Sequence, residues 1–308
     1  MLASPAAAGF SLMLRAEIVP TCIRSALQAG VLALLFGAAP GGAFGQGDAK
    51  RGEYLAKAGG CVGCHTEDKK EAVPYAGGRA LKTPFGTFYG PNITPHPQAG
   101  IGDWTEADFI RAMRLGERPD GANYFPAFPY PSFTKISDGD LRDLWGYLRS
   151  LAPSGRANRA HDLRFPFGWR SLVTIWKWLF FTPGPFVSNP RRSQIVNRGA
   201  YLVQALGHCG ECHTPRNFLG GPKRSRFLAG GKTPEGKAVS NLTPARLKKQ
   251  SDAELKDFLV FGTTPDGDVP AEAMGEVIRN TTSQLTPEDL AAVIAYLRSL
   301  PPLPAEPR

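Results

Sequence analysis

The chain has 308 residues, with 36 Lys and Arg against 27 Asp and Glu, and its formal charge of +9 excludes an acidic protein. At roughly 150 residues per domain it holds about two domains, and 42% hydrophobic with 20% charged residues is a globular rather than a disordered balance. The 35 Gly and 28 Pro point to much loop without a collagen period, and five Cys are too few for a disulfide scaffold at this length.

Residues 1–45 carry only Arg15, Glu17 and Arg24 as charges, and Ala26 to Ala39 is apolar apart from Gln28. A charged flank before a short apolar core reads as a secretory signal, and Ala43 and Gly45 suit cleavage before Gln46. Residues 1–45 are therefore expected to be a signal peptide that removes Cys22. The other reading is a retained membrane anchor, although Pro40, Gly41 and Gly42 interrupt the apolar run.

The rest of the chain is one module written twice. Arg51-Gly52-Glu53-Tyr54-Leu55 returns as Arg198-Gly199-Ala200-Tyr201-Leu202, and Cys61-Val62-Gly63-Cys64-His65 as Cys209-Gly210-Glu211-Cys212-His213. Asn92-Ile93-Thr94-Pro95 then matches Asn241-Leu242-Thr243-Pro244, and Pro119-Asp120-Gly121 matches Pro265-Asp266-Gly267. Tyr147-Leu148-Arg149-Ser150-Leu151 matches Tyr296-Leu297-Arg298-Ser299-Leu300. The order sets a first domain over 46–158, an aromatic-rich linker over 159–195 and a second domain over 196–308.

Each copy opens and closes with a predicted helix. The first closing helix starts at Ser137 as N-cap and lines up Leu141, Leu144, Leu148 and Leu151. Its counterpart uses Thr286, Pro287, Leu290, Val293, Leu297 and Leu300. The opening helices carry Gly52 and Gly199, where another helix is expected to cross closely under Tyr147 and Tyr296. Long Gly- and Pro-rich loops with little strand pattern lie between and are expected to wrap something. The linker, with Trp169, Trp176 and Trp178, is expected to pack its aromatics across the two domains. Docking to a partner or a membrane surface is its second reading.

Two thiols three positions apart with His next in line allow two bonds to a haem edge and one to its iron from a single turn. Zinc would need the cysteine pairs brought together, and a thioredoxin-like pair would need a βαβ setting. With Asn92-Ile93-Thr94-Pro95, Pro126-Ala127-Phe128-Pro129-Tyr130-Pro131, Gly207-His208 before Cys209, and Met274-Gly275-Glu276-Val277, the chain resembles dihaem c-type cytochromes. More closely, it is similar to the cytochrome subunits of periplasm-facing dehydrogenases for alcohols, aldehydes or sugar acids. Many such subunits have three haem domains, and this chain has two.

The resemblance implies an all-α fold of two tandem class I cytochrome c domains with long haem-wrapping loops and two covalently bound haem c. Cys61, Cys64, Cys209 and Cys212 would tether them, and His65, His213 and Met274 would be axial ligands; a Met ligand raises the reduction potential. Counting seven residues from Gly267 gives Met274, but seven from Gly121 gives Phe128. The sixth ligand of haem one therefore stays open between Met113, His96 and no strong ligand. His161 and His208 are not forced into ligand roles.

The implied function is single-electron transfer in the periplasm, from dehydrogenase subunits to a cytochrome, copper protein or oxidase, with membrane association as an added reading. The alternative is a peroxidase-like dihaem enzyme open at haem one. No hydrolase triad, paired-carboxylate site or nucleotide loop emerges, and nucleic acid is not an expected partner. The basic surface would steer toward acidic redox partners.

Overall fold

The computed structural model of the chain describes residues 47–233, 237–263, 270 and 272–304. The expected signal and the Pro265-Asp266-Gly267 landmark lie outside them. All described residues belong to one compact unit, Gly45–Arg308.

Copy one begins with α1 (Ala49–Ala58), whose N-cap Asp48 accepts hydrogen bonds from the amides of Lys50 and Arg51. The short helix α2 (Cys61–His65) follows, then the hairpin β1 (Ala80–Thr83) and β2 (Gly86–Tyr89). α3 (Glu106–Leu115) has a complete capping box at Thr105 and Asp108 and buries Phe109, Ala112 and Met113. The single turn α4 (Tyr130–Phe133) leads to α5 (Asp138–Ser150), which buries Leu141, Leu144 and Leu148 as the apolar spacing predicts. Each such leucine contributes about 1.5–3 kcal/mol of burial.

The linker adds the two-residue strand β3 (Asp162–Leu163) to β2 and then forms α6 (Arg170–Phe180). Copy two starts with α7 (Gln194–Tyr201), which runs into a π-helical turn over Leu202–Leu206, and continues with α8 (Gly210–His213). Next come β4 (Gly231–Lys232), β5 (Ala238–Val239), α9 (Pro244–Leu247) and α10 (Asp252–Phe261). α11 (Glu272–Asn280) and α12 (Pro287–Arg298) close the fold. The outcome is mostly helical with little sheet. The β1–β2 hairpin departs from the loop expectation; Thr87-Phe88-Tyr89 and Leu81-Lys82-Thr83 are short β-prone runs whose signal the flanking Gly and Pro obscure.

The expected crossings are present in both copies. A Cβ at Gly52 would stand 1.9 Å from the Asp143 carbonyl oxygen, and one at Gly199 would stand 1.8 Å from that of Ala292. Tyr147 and Tyr296 cover the same two crossings, each with its own Cβ 2.7 Å from that position. Only glycine allows this approach, and it places α1 on α5 and α7 on α12.

The same helices bind the copies to each other. Tyr54 of α1 donates to Asp289 of α12 at 2.5 Å, and Tyr201 of α7 donates to Asp140 of α5 at 2.5 Å. Arg51 pairs with Asp140 and Asp143, while Arg198 makes two 2.7 Å bonds to Asp289. The apolar core runs without a break from Leu55 and Leu141 in copy one to Leu202 and Leu297 in copy two.

The linker divides its aromatics. Phe181 stacks edge-on against Tyr130 and Phe186 against Tyr201, as a packed linker requires. Phe165, Trp169 and Trp178 do not pack inward, and are 80%, 57% and 83% exposed.

Candidate haem-binding sites

Both attachment motifs sit on a short helical turn immediately after the opening helix. At the entry to α2, Gly60 takes a left-handed φ of 62°. Its repeat partner His208 is also left-handed, at 37°, and its ring meets Phe133 of copy one edge-on. His208 is thus a contact between the copies, and burial lowers its pKa.

The two ligand-type histidines are oriented identically. His65 Nδ1 lies 2.7 Å from the Pro91 carbonyl oxygen, and His213 Nδ1 lies 2.7 Å from that of Ser240. A carbonyl only accepts, so each Nδ1 carries the proton and each Nε2 presents its lone pair. Burial also lowers both pKa values, which keeps the rings neutral. Burial pushes the Cys61 and Cys209 thiols up to about 12 and the Cys64 thiol to about 11. None of these cysteines is in a disulfide.

The wrapping loops repeat in detail. Thr66 Oγ1 accepts from the Tyr75 amide at 3.1 Å, and Thr214 Oγ1 from the Leu228 amide at 3.1 Å. The Gly77 amide donates to His65 at 2.7 Å, and the Gly230 amide to His213 at 2.9 Å. These contacts reveal a further repeated landmark, Tyr75-Ala76-Gly77-Gly78 against Leu228-Ala229-Gly230-Gly231. Ala-Gly-Gly is its only signal in the sequence. Asn92 and Asn241 pin the chain after each closing helix, Asn92 Nδ2 donating to Ser154 at 2.8 Å and Asn241 Nδ2 to Leu303 at 2.7 Å.

The donor set in each copy fits covalent haem c: two thiols one turn apart that are in no disulfide, and a neutral His whose Nε2 presents its lone pair. A Cβ would fill the cradle where loop backbone approaches each attachment turn, 1.8 Å from the Cys64 carbonyl oxygen at Gly90 and 2.2 Å from that of Cys212 at Gly231. Among the described residues, no three His, Cys, Asp or Glu side chains converge as a metal cluster of their own.

The cytochrome c family pattern matches this chain twice, over residues 49–152 and 196–301. The chain belongs to the cytochrome c family. It is 46% identical over 259 residues to a "Diheme cytochrome c-type" protein of Cereibacter sphaeroides, covering 83% of this chain and 86% of that one. The cytochrome c subunit of a quinone alcohol dehydrogenase from Gluconobacter oxydans is 37% identical over 290 residues, with 89% of this chain and 59% of that subunit covered. The cytochrome c subunit of a gluconate 2-dehydrogenase from Pantoea cypripedii is 38% identical over 264 residues, with 82% of this chain and 59% of that subunit covered. The chain therefore spans less than two thirds of the length of these two dehydrogenase subunits. Two cytochrome c domains and a dihaem relative give this cytochrome two haem c groups and an electron-transfer role.

The remaining candidate ligands fall in different settings. Met274 is half-buried on α11. Met113 is buried in the core on α3 beside Phe109. His96 Nδ1 accepts a 3.1 Å bond from the Ala99 amide, which commits that nitrogen to its own loop. Phe128 joins an aromatic cluster with Tyr124, Tyr130 and Phe133. His161 accepts from the Tyr89 amide at 3.2 Å and packs on Phe88 and Phe125 in copy one.

Contacts between the copies also reach the two attachment turns. Glu276 of α11 reaches over α2, bonded at 2.8 Å to Arg79, and lies 3.3 Å from where a Cβ on Gly63 would be. In the opposite direction, Ser132 of α4 donates at 2.8 Å to Glu211 of α8. Each attachment turn is thus faced by the segment around the candidate sixth-ligand position of the other copy.

Proposed function

We propose that this cytochrome is exported to the periplasm, takes single electrons from a dehydrogenase and passes them to a downstream cytochrome, copper protein or oxidase. Cys61 and Cys64 tether one haem, with His65 on its iron; Cys209 and Cys212 tether the other, with His213 and Met274 on its iron. A haem bound in this way supplies one-electron exchange between ferric and ferrous iron. The protein's part is to fix both histidine tautomers, exclude water and hold the two copies together. The observation that carries the reading is the pair of matched attachment turns, each with its His Nδ1 held 2.7 Å from a loop carbonyl, in two copies tied by Tyr54–Asp289 and Tyr201–Asp140. Dehydrogenase subunits among the relatives support the donor class.

The test is a haem count with a reductive and oxidative titration of the purified chain. Two haems per chain that reduce and reoxidise reversibly are expected. A different count, or irreversible reduction, overturns the proposal.

Phe128 at the position that Met274 holds in copy two, with His96 tied to Ala99, favours one second reading, a peroxidase-like site at haem one. It requires carbon monoxide to shift about half of the ferrous haem, and turnover of peroxide with an electron donor. Absence of both removes it.

A further inference from the structure

Helix α6 is inside out. Its two charged side chains turn toward the protein: Lys177 donates to Asn123 at 2.6 Å and pairs with Glu117 at 3.3 Å, and Arg170 bonds the Asn123 backbone and lies over the Phe125 ring. Val173 is buried on that side. The outward side presents Leu172, Ile175, Trp178 and Leu179 with Ser171 as its polar residue, since the Thr174 hydroxyl accepts from Asn123 at 2.9 Å. A helix facing water has the reverse arrangement.

Two neighbouring segments extend this apolar surface. Phe165 stacks edge-on against Trp169, immediately before α6. The loop carrying Phe218 and Leu219 is fastened to the helix, since Trp176 Nε1 donates to the Leu219 carbonyl at 3.2 Å and Arg224 donates to that of Phe180 at 2.8 Å. Phe218 is 92% exposed.

The charge on these segments is one-sided. Within 159–195 the charged residues are Arg159, Arg164, Arg170, Lys177, Arg191 and Arg192 against Asp162 alone. Residues 215–226 contain Arg216, Lys223, Arg224 and Arg226 and no acid. Exposed aromatic and aliphatic groups on segments whose charge is almost wholly basic match the boundary layer of an anionic bilayer. A rigid protein partner would instead need a separate pocket for each of the widely exposed Phe165, Trp178 and Phe218 rings.

We propose that α6 and the Phe218 loop are a membrane foot, with α6 lying in the headgroup layer of an anionic bilayer. No described helix is long and apolar enough to cross a membrane, so this attachment is in-plane. It rests on exposure and charge and is independent of the redox reading.

The experiment uses the full haem-loaded chain and its Ile175→Ser/Trp178→Ser/Phe218→Ser variant, floated with phosphatidylcholine–phosphatidylglycerol vesicles and with pure phosphatidylcholine vesicles. All three residues are exposed, so an unchanged visible spectrum and unfolding midpoint serve as the folding control. The wild type should partition at least about tenfold more strongly to anionic vesicles than the variant does. Added salt should weaken that binding, and hydrogen exchange should slow at 165–180 and 218–219 on the vesicles. Equal flotation of variant and wild type overturns the proposal and assigns binding to another segment. No flotation of the wild type, with or without self-association through this surface, also overturns it, in favour of a protein partner.

Discussion

Gly199 is the position where one methyl group should have the largest effect. In an open helix, replacing Gly by Ala stabilises by up to about 1 kcal/mol. Here the new Cβ would sit 1.8 Å from the Ala292 carbonyl oxygen and 2.7 Å from Tyr296 Cβ. Restoring ordinary van der Waals separation requires α7 and α12 to part by about 1.5–2 Å. Overpacking of this kind costs about 1–3 kcal/mol, and opening the crossing uncovers part of the apolar surface of Leu202, Val293 and Leu297 at roughly 25 cal/mol per Å². With the propensity gain subtracted, Gly199→Ala should lose about 2 kcal/mol, a fall of roughly 4–8 °C in Tm for a chain of this size. The control is Gly139→Ala on α5, where nothing lies within 4 Å of the added Cβ. It should be neutral or stabilising by about 0.5 kcal/mol. The assay is thermal unfolding of the haem-loaded chain followed by far-ultraviolet circular dichroism. Equal midpoints for the two variants would refute the close-crossing argument.

Asp289 should give the interface an acid limb. Burial raises its pKa, but hydrogen bonds from Arg198 and Tyr54 outweigh burial and hold it below the usual carboxylate value. Its stabilisation is therefore complete above the unfolded value of about 4 and is lost as the pH falls through the lower folded value. Asp289→Asn should cost about 1–2 kcal/mol near neutral pH, discounted for partial exposure, and should flatten that limb in urea titrations. An unchanged acid limb would place the responsible carboxylate elsewhere. Met274→Ala should lower the potential of one haem of the pair and let carbon monoxide bind about half of the ferrous haem beyond any wild-type binding. A carbon monoxide difference spectrum identical to wild type would remove Met274 from the iron.

What the sequence made legible was whatever the duplication states twice. The attachment motifs, the closing helices at Ser137 and Thr286 and the glycine crossings all recur at matched spacing, and each has a local physical reason. Less legible were features that depend on the two copies meeting. Asp140 and Asp289 follow their N-caps by three residues and read as capping groups, yet their carboxylates turn to Arg51, Tyr201, Arg198 and Tyr54 instead. His208 gave no sequence signal of its contact because its ring partner, Phe133, lies 75 residues away in the other copy. The outward turn of α6 was equally hidden: its composition suits a packed linker or a surface foot, and only the inward bonds of Arg170 and Lys177 show that its apolar side faces out.

The interface follows from the repeat with little additional information. An Arg and a Tyr three residues apart on the opening helix, with an Asp at the start of the closing helix, serve two purposes in each copy. The Arg holds the Asp of its own copy, as in Arg51–Asp140 and Arg198–Asp289, and the Tyr reaches the Asp of the other, as in Tyr201–Asp140 and Tyr54–Asp289. One duplicated triplet therefore specifies both ends of a contact between the copies, and each carboxylate satisfies an internal and an external donor together. Burial and the Asp289 carboxylate raise the Tyr54 pKa to about 12, so its hydroxyl remains a donor across the physiological range. The copies diverge at matched positions: Phe128 stands where the count from the repeated Asp-Gly gives Met274 in copy two, and Gly60 where it has His208. Under the proposed function, that difference within a symmetric frame would make the two sites unequal, which is the condition for transfer between them to have a direction.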